Sequence, residues 1–294
     1  LFPDATRPTF GPFVERQTLG LAAYPGVELQ VVVPVGIPPF GQFHPRYRAL
    51  ASLPRTFKTG DASEGAIHVI AGSAGWVDRI EQAASAGAAG VLLMAPSLSP
   101  SIARAVEAAG VIPIVIGHQW TGNPAVAGLS RWADEMSAAN AVSVTGVIGL
   151  ADGRELETAA LDALSLAARL TGGDPELTSV RSSATAMTII GTVGGAILRV
   201  GLVRSEFGPP QARASVHAAR LQHTALIPSA GNAAPARISR VSVEGELVLS
   251  SIYQDSHRTN LLALARAIGE HALPTDLLEL EVVARGVRDV RSTA

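Results

Sequence analysis

His118 is the residue whose type and position best suit chemistry at a cleft. It follows an apolar run, residues 111–116 (VIPIVI), which predicts a buried strand. An imidazole changes charge near neutral pH, so it can move protons as an acid or a base. The carboxyl ends of parallel strands face the ligand crevice of open α/β sheets, which would place His118 there. A partly buried histidine at a domain hinge is the alternative, and both interpretations stay open.

The other histidines form no recognisable metal or catalytic motif. They are His44, His68, His217, His223, His257 and His271, and neither H-x-x-x-H nor H-E-x-x-H occurs. His217 and His223 lie six residues apart, which can place both on one face of a sheet. A solvated sheet face is the plainer interpretation of that pair. The chain has no cysteine, so thiolate ligands are excluded, and we predict no metal site.

Glycine-rich phosphate loops are missing in their usual form. No G-x-G-x-x-G follows a predicted strand, and no Walker loop or G-x-S-x-G elbow occurs. The turn at residues 72–75 (GSAG) connects a predicted strand to a predicted helix, and its backbone N–H groups could approach a phosphate. An ordinary turn is the alternative interpretation.

The composition is that of a globular protein with many buried residues. Of 294 residues, 47% are hydrophobic and 16% are charged, and the formal net charge is −2. This balance gives no electrostatic reason to expect nucleic acid or an anionic membrane as a partner. No apolar run is long enough for a membrane span. The lack of cysteine fits a reducing compartment, so we expect a cytoplasmic protein.

The order of elements predicts an α/β fold with two sheets. Apolar strands at residues 66–71, 90–94 and 111–116 alternate with helices at 76–86 and 100–109, as in a Rossmann-like parallel sheet. After residue 123 come helices and shorter alternating strands, which predict an α+β domain with a mostly antiparallel open sheet. The predicted strands there are 141–150, 177–186, 196–203, 212–220, 237–243 and 247–252, with helices at 155–170, 257–271 and 275–290.

Three segments between residues 66 and 294 form a pattern that matches a known family. They are residues 117–120 (GHQW) followed by 123–126 (NPAV), the helix that ends with residues 162–172, and the helix segment 261–268. On these segments, residues 66–294 resemble the Gfo/Idh/MocA family of NAD(P)-dependent sugar oxidoreductases. The resemblance implies NAD or NADP as cofactor, a sugar or polyol ligand, and a homo-oligomer formed through the open sheet. It assigns cofactor-binding positions to Met94, Pro96, His118 and Gln119, and substrate-binding positions to Trp120, Asn123 and Ser165.

The chain departs from this family at its catalytic positions. The family's Glu-Lys-Pro turn corresponds to Met94-Ala95-Pro96, and alanine cannot polarise a substrate hydroxyl as a lysine would. The family's acid–base histidine corresponds to Asp162, and its partner aspartate corresponds to Ser165. Asp162 is therefore the catalytic candidate, since a carboxylate can act as a base in suitable surroundings. The alternative is that Asp162 is only a polar residue of a surface helix.

Residues 1–55 resemble something else, the start of a two-lobed retaining glycosyltransferase. The similarity is carried by residues 2–16, which contain Gly11, and by the strand predicted at 27–34. The sequence accordingly predicts three segments: a glycosyltransferase-like segment at 1–56, the second half of a Rossmann-like domain at 57–123, and a C-terminal sheet domain at 124–294. A fusion or a chimeric reading frame would explain the missing glycine fingerprint.

Three functions stay open at this point. The first is a Gfo/Idh/MocA-like oxidoreductase with a degenerate catalytic site. The second is a non-catalytic relative that binds a ligand or partner. The third is a truncated or chimeric chain.

Overall fold

The structure is a computed structural model. It describes residues 64–149, 155–206, 210–229 and 234–292, together with the backbone of two strands, residues 29–32 and 57–60. The rest of residues 1–56, for which the sequence predicts a glycosyltransferase-like segment that includes Gly11, lies outside the described residues.

The first sheet, sheet A, has five parallel strands. They are β1 (Leu29–Val32), β2 (Phe57–Gly60), β3 (Ile67–Ala71), β4 (Gly90–Met94) and β5 (Ile114–Gly117). Their order across the sheet is β2-β1-β3-β4-β5. Residues 57–60, for which the sequence predicts no strand, pair with β1 as an edge strand.

Helices cover both faces of sheet A, as the apolar strands require. α1 (Trp76–Ser85) and α2 (Ile102–Ala108) lie between the strands in the chain. Val91 and Leu93 belong to the core on this face, whereas Leu92 and Met94 pack with α6 (Ser256–Glu270) on the other face. α6, a helix from near the C-terminus, thereby covers the second face of sheet A.

The second sheet, sheet B, has eight strands. They are β6 (Ala141–Gly149), β7 (Pro175–Ser182), β8 (Ala186–Val193), β9 (Ala196–Ser205), β10 (Gln211–Ala218), β11 (Leu221–Pro228), β12 (Arg237–Ser242) and β13 (Gly245–Val248). The order is β13-β12-β11-β10-β6-β9-β8-β7, and every pair is antiparallel except β6 with β9. This confirms the predicted fold class of a parallel sheet followed by a mostly antiparallel one.

Three strands of sheet B differ from the sequence prediction. The strand predicted at 177–186 ends at Ser182, and β8 follows it as a separate strand without a sequence prediction. The strand predicted at 247–252 is β13, at residues 245–248. The sequence does not indicate β11, because the polar residues Gln222, His223 and Thr224 are consecutive near its start.

α5 (Leu156–Thr171) is the central helix of the molecule. It packs on β6, β8 and β9 of sheet B and contacts α7 (Asp276–Ser292), and most of its side chains are buried. It ends at Gly172, which has the left-handed conformation that glycine adopts without strain. The connection before sheet B contains α3 (Pro124–Leu129), a 3-10 turn and α4 (Ala133–Ser137). Within the described part of the chain, no helix is long and apolar enough to cross a membrane.

Candidate functional site

A polar pocket lies where β5 ends, between α5, α6 and α7. The space between these elements is about 340 Å³, a volume that includes open solvent. Its lining comprises Ile116, His118, Thr121, Gly122, Ser165, Arg169, Asn260, Asp276 and Glu279. The carboxyl end of β5 therefore meets residues from three helices that are far away in the chain.

Asp162 holds the loop that follows β5. Its carboxylate accepts hydrogen bonds from the backbone N–H groups of Gln119, Trp120 and Thr121, each at 3.0 Å. The Thr121 hydroxyl adds contacts of 2.9 Å to the carboxylate and to the Asp162 carbonyl oxygen. The side chain is completely buried, so the interpretation of Asp162 as a surface residue is wrong.

The same carboxylate lies beside the His118 ring. The distance from His118 Nδ1 to Asp162 Oδ1 is 3.7 Å, and the histidine is itself buried at the edge of the pocket. Asn260 Nδ2 donates to the His118 carbonyl oxygen at 3.1 Å. Asn260 of α6 thus fixes the main chain of His118, and the His118 ring lies next to the carboxylate of Asp162 in α5.

Asp276 is the first residue of α7 and forms the opposite wall. Its Oδ2 accepts the N–H of Ile116 at 3.1 Å. Burial raises the pKa of the Asp276 carboxyl, against the opposing effects of this hydrogen bond and of Arg169. The Arg169 guanidinium lies 4.0 Å from Asp276 and 3.5 Å from Glu279.

The predicted substrate residues fall in different places. Ser165 lines the pocket, and its buried Oγ has no hydrogen-bond partner among the described residues. Trp120 is fully buried against β6, where a Cβ on Gly146 would lie 2.6 Å from its ring. Asn123 caps α3 by accepting the Ala125 N–H at 2.9 Å. The structure therefore places one of these three residues in the pocket wall.

The predicted cofactor residues also separate into two groups. His118 lines the pocket, and Gln119 follows it in the loop held by Asp162. Met94 packs beneath β5, where a Cβ on Gly117 would lie 2.4 Å from its sulfur. Pro96 is buried against Gly72, and Ala95 next to it has a left-handed φ of 48°.

The turn at residues 72–75 occupies the point where sheet A changes direction. From β1 the chain moves to one edge of the sheet, and from β3 it moves to the other, so the switch point lies between these neighbouring strands. Such crevices bind ligands in open α/β sheets. The N–H groups of Ser73, Ala74 and Gly75 make no backbone hydrogen bond to a described residue, and all three residues are exposed.

The side chain of Arg79 braces this turn. It donates to the carbonyl oxygens of Ala71, Ser73 and Ala74 at 2.8–3.0 Å. These carbonyl oxygens therefore point towards the guanidinium and not towards the N–H groups of the turn, and the positive charge of Arg79 lies beside the turn. These features fit a phosphate group of a dinucleotide, because N–H groups at a helix start attract anions.

The histidine pair in sheet B is not a shared site. His223 is buried on the face that packs on the helices, and its Nε2 lies 2.9 Å from Glu135 Oε2. His217 pairs with Gln222, the neighbour of His223, so the two histidines lie on opposite faces. Among the described residues, no three histidine, aspartate or glutamate side chains are grouped as a metal ion would need.

Sequence reasoning missed Asp276, Arg169 and Asn260. Asp276 follows Pro274-Thr275, a pattern typical of an ordinary helix start. A short polar residue at a helix start is common, so this pattern carries no functional signal by itself.

Comparisons with known proteins identify the fold. No family model matches the sequence, and no curated protein matches it. Among solved structures, a mutant of the 3-ketoreductase KijD10 from Actinomadura kijaniata, in complex with TDP-benzene and NADP, is similar with a TM-score of 0.67 and 11% identity. The match covers 90% of this chain and 96% of that one.

Two further solved structures have a similar fold. The UDP-N-acetylglucosamine 3-dehydrogenase GnnA from Acidithiobacillus ferrooxidans matches with a TM-score of 0.66 and 14% identity, over 91% of this chain and 97% of that one. A dehydrogenase (MviM) from Clostridium difficile matches with a TM-score of 0.65 and 8% identity, over 92% of this chain and 100% of that one. The predicted resemblance to Gfo/Idh/MocA-type oxidoreductases is confirmed as a likeness of fold.

Proposed function

We propose that the protein is an NAD(P)-dependent oxidoreductase that acts on a sugar or polyol. The observation that carries this proposal is the buried His118–Asp162 pair at the carboxyl end of β5, facing a pocket of polar side chains. The fold shared with a 3-ketoreductase and two dehydrogenases supports it.

In the proposed mechanism, His118 handles the proton of the reacting hydroxyl. NAD or NADP bound near His118 and Gln119 would supply the acceptor for the hydride that leaves the carbon. The imidazole takes the hydroxyl proton, and the Asp162 carboxylate at 3.7 Å stabilises the imidazolium that results. Asp162, predicted from the sequence as the base, acts here through His118 and holds its loop in place.

The other pocket side chains orient the ligand. Ser165 offers a hydroxyl without a protein partner among the described residues, and Asp276 offers a carboxyl oxygen. Both can bond to ligand hydroxyls. The reverse reaction, reduction of a ketone, uses the same proton path with His118 as the acid.

We place the cofactor's phosphates at the turn of residues 72–75 and its nicotinamide end towards His118 and Gln119. The uncommitted N–H groups of the turn would bind the phosphates, with Arg79 adding positive charge. Met94 and Pro96 then support the cofactor site from beneath rather than by direct contact.

Titration of NADH and NADPH, followed by nicotinamide fluorescence, tests this function. Saturable binding is expected, together with turnover on a member of a polyol and sugar panel. His118→Ala should lower kcat by about 10²–10⁴-fold, as loss of an acid–base group does. His217→Ala, the same change on the open sheet face, is the matched control and should leave kcat unchanged. Absence of cofactor binding would refute the proposal.

A non-catalytic, ligand-binding relative is the second candidate. The commitment of the Asp162 carboxylate to backbone N–H groups favours it, as does Ala95 in place of a lysine. This candidate predicts ligand binding in the pocket with no effect of NADH or NADPH on ligand affinity, whereas the oxidoreductase predicts coupling between the two.

We also propose that the open face of sheet B joins two copies of the chain in the cytoplasm. No described helix covers this face, on which Ile190, Ile197 and Val203 are exposed. Light scattering should report a dimer, and Ile197→Glu should shift it towards the monomer. A monomeric wild-type mass would contradict this assignment.

A further inference from the structure

The charges that line the pocket select its ligand. We propose that the pocket binds hydroxylated ligands without negative charge, with ammonium-bearing sugars preferred to neutral ones and acidic or phosphorylated sugars rejected. This inference rests on the proposed function, since it names the substrate class of the same site.

The ion pairs of the pocket leave a surplus of negative charge. Arg169 is shared between Asp276 at 4.0 Å and Glu279 at 3.5 Å, so one cation faces two carboxylates. No lysine and no second arginine belongs to the described lining. These three side chains carry a formal charge of −1 when all are ionised.

Further negative charge lies directly behind the pocket wall. The Asp162 carboxylate is 3.7 Å from His118 Nδ1, and it is completely shielded from solvent. A buried charge is screened much less than an exposed one, so its field extends into the pocket. An anionic ligand beside His118 would therefore meet carboxylates on both sides.

The protonation behaviour of Asp276 agrees with this picture. Burial raises the pKa of its carboxyl, and Glu279 adds a smaller increase, against the opposing effects of the Ile116 N–H, Arg169 and His118. The site already disfavours one of its own negative charges, and it would disfavour a ligand carboxylate or phosphate for the same reasons.

The pocket also has the groups that hydroxyl recognition needs. Ser165 is 7% exposed, and its Oγ lines the pocket without a hydrogen-bond partner among the described residues. Carboxylate oxygens of Asp276 and Glu279 accept hydrogen bonds but cannot donate them when ionised. Ligand hydroxyl and ammonium groups supply the matching donors.

Calorimetry on the full chain without cofactor tests the proposal with two series of ligands, and the members of each series are similar in structure and differ in charge. The first series is glucamine, sorbitol and gluconate, and the second is glucosamine, glucose and glucuronate. In the series that binds, the amine should bind about threefold to tenfold more tightly than the neutral compound, and the acid more weakly by a similar factor. The reverse order would overturn the proposal, as would failure of all six compounds to bind at ~10 mM.

Glu279→Gln sharpens the test because it removes one charge and keeps the shape. The ratio of amine to acid affinity should fall by about fivefold, which is the effect of one partly exposed charge at short range. Glu270→Gln, at the exposed end of α6, is the matched control and should leave the ratio unchanged. If the ratio of amine to acid affinity changed equally in both variants, the net charge of the whole protein rather than the charge in the pocket would set the ratio, and the proposal would be overturned.

The two proposals fail in different ways. If the charge ranking holds but no compound is oxidised with NAD or NADP, the proposed reaction fails and the pocket assignment stands. If turnover occurs preferentially on acidic or phosphorylated sugars, the pocket assignment fails and the reaction stands.

Discussion

Replacing Asp162 with alanine is expected to remove a large part of the free energy of unfolding. The change deletes the acceptor of three backbone N–H groups and of the Thr121 hydroxyl, all of which are held at 2.9–3.0 Å. Because the site is completely buried, water cannot replace the carboxylate without entering the core.

The size of the effect follows from the number of donors left without a partner. Each buried donor costs about 1–3 kcal/mol when its acceptor is removed, and part of this cost is recovered if the loop relaxes. We expect a total loss of about 3–5 kcal/mol, as for the loss of one partner from a buried charged network. A natural domain has about 5–15 kcal/mol in total, so the variant would be close to unfolding.

Urea unfolding of Asp162→Ala measures this loss, with Asp174→Ala as the control. Asp174 is exposed just before β7, so its replacement should change the free energy of unfolding by no more than about 0.5 kcal/mol. Hydrogen exchange should also become faster at the amides of Gln119, Trp120 and Thr121. A loss below about 1 kcal/mol, with unchanged exchange at these amides, would refute the role of Asp162 as the anchor of the loop.

Three further predictions concern single sites. Asp276→Asn should raise Tm at neutral pH, because a carboxyl whose pKa is raised on folding destabilises the folded state once the pH is high enough to ionise it. The gain in Tm should vanish below pH 3.8, the ordinary pKa of an aspartate carboxyl. An equal gain in Tm at all pH values would contradict this prediction. Burial lowers the pKa of His223 below 6.5, so the stability linked to its neutral form is present above pH 6.5 and is lost as the pH falls. In His223→Gln, the urea midpoint of unfolding should therefore depend less on pH between neutral and mildly acidic conditions than in the wild type. Gly122→Ala should cost about 1–3 kcal/mol in urea unfolding, because its Cβ would lie 2.3 Å from Asn260 Oδ1, and a neutral effect would show that the α6 contact is loose.

Local patterns were enough to predict most elements of sheet A. The runs that form β3, β4 and β5 are apolar except for His68 in β3, and a strand buried on both faces has this pattern. Glycine at the end of α5 marked its boundary correctly. β2 was missed because its residues, FKTG, have too little apolar character to indicate an edge strand.

Sheet B was harder to predict because one of its faces is open. Strands β8 and β11 alternate between buried and outward-facing residues, and the outward-facing positions carry threonine and glutamine. β12 and β13 are antiparallel neighbours, and Gly245 at the start of β13 has a φ of 125°, which favours glycine.

The sequence by itself determined that His118 lies at the carboxyl end of a buried strand, because that position depends only on the apolar run before it. Only the tertiary structure decided what surrounds this histidine. Asp162 reaches its loop from 43 residues away in the chain, and Asp276 reaches Ile116 from 160 residues away. The physical reason is that hydrophobic burial of α5, α6 and α7 brings these polar groups together, and neither the spacing nor the type of any one of them encodes that meeting.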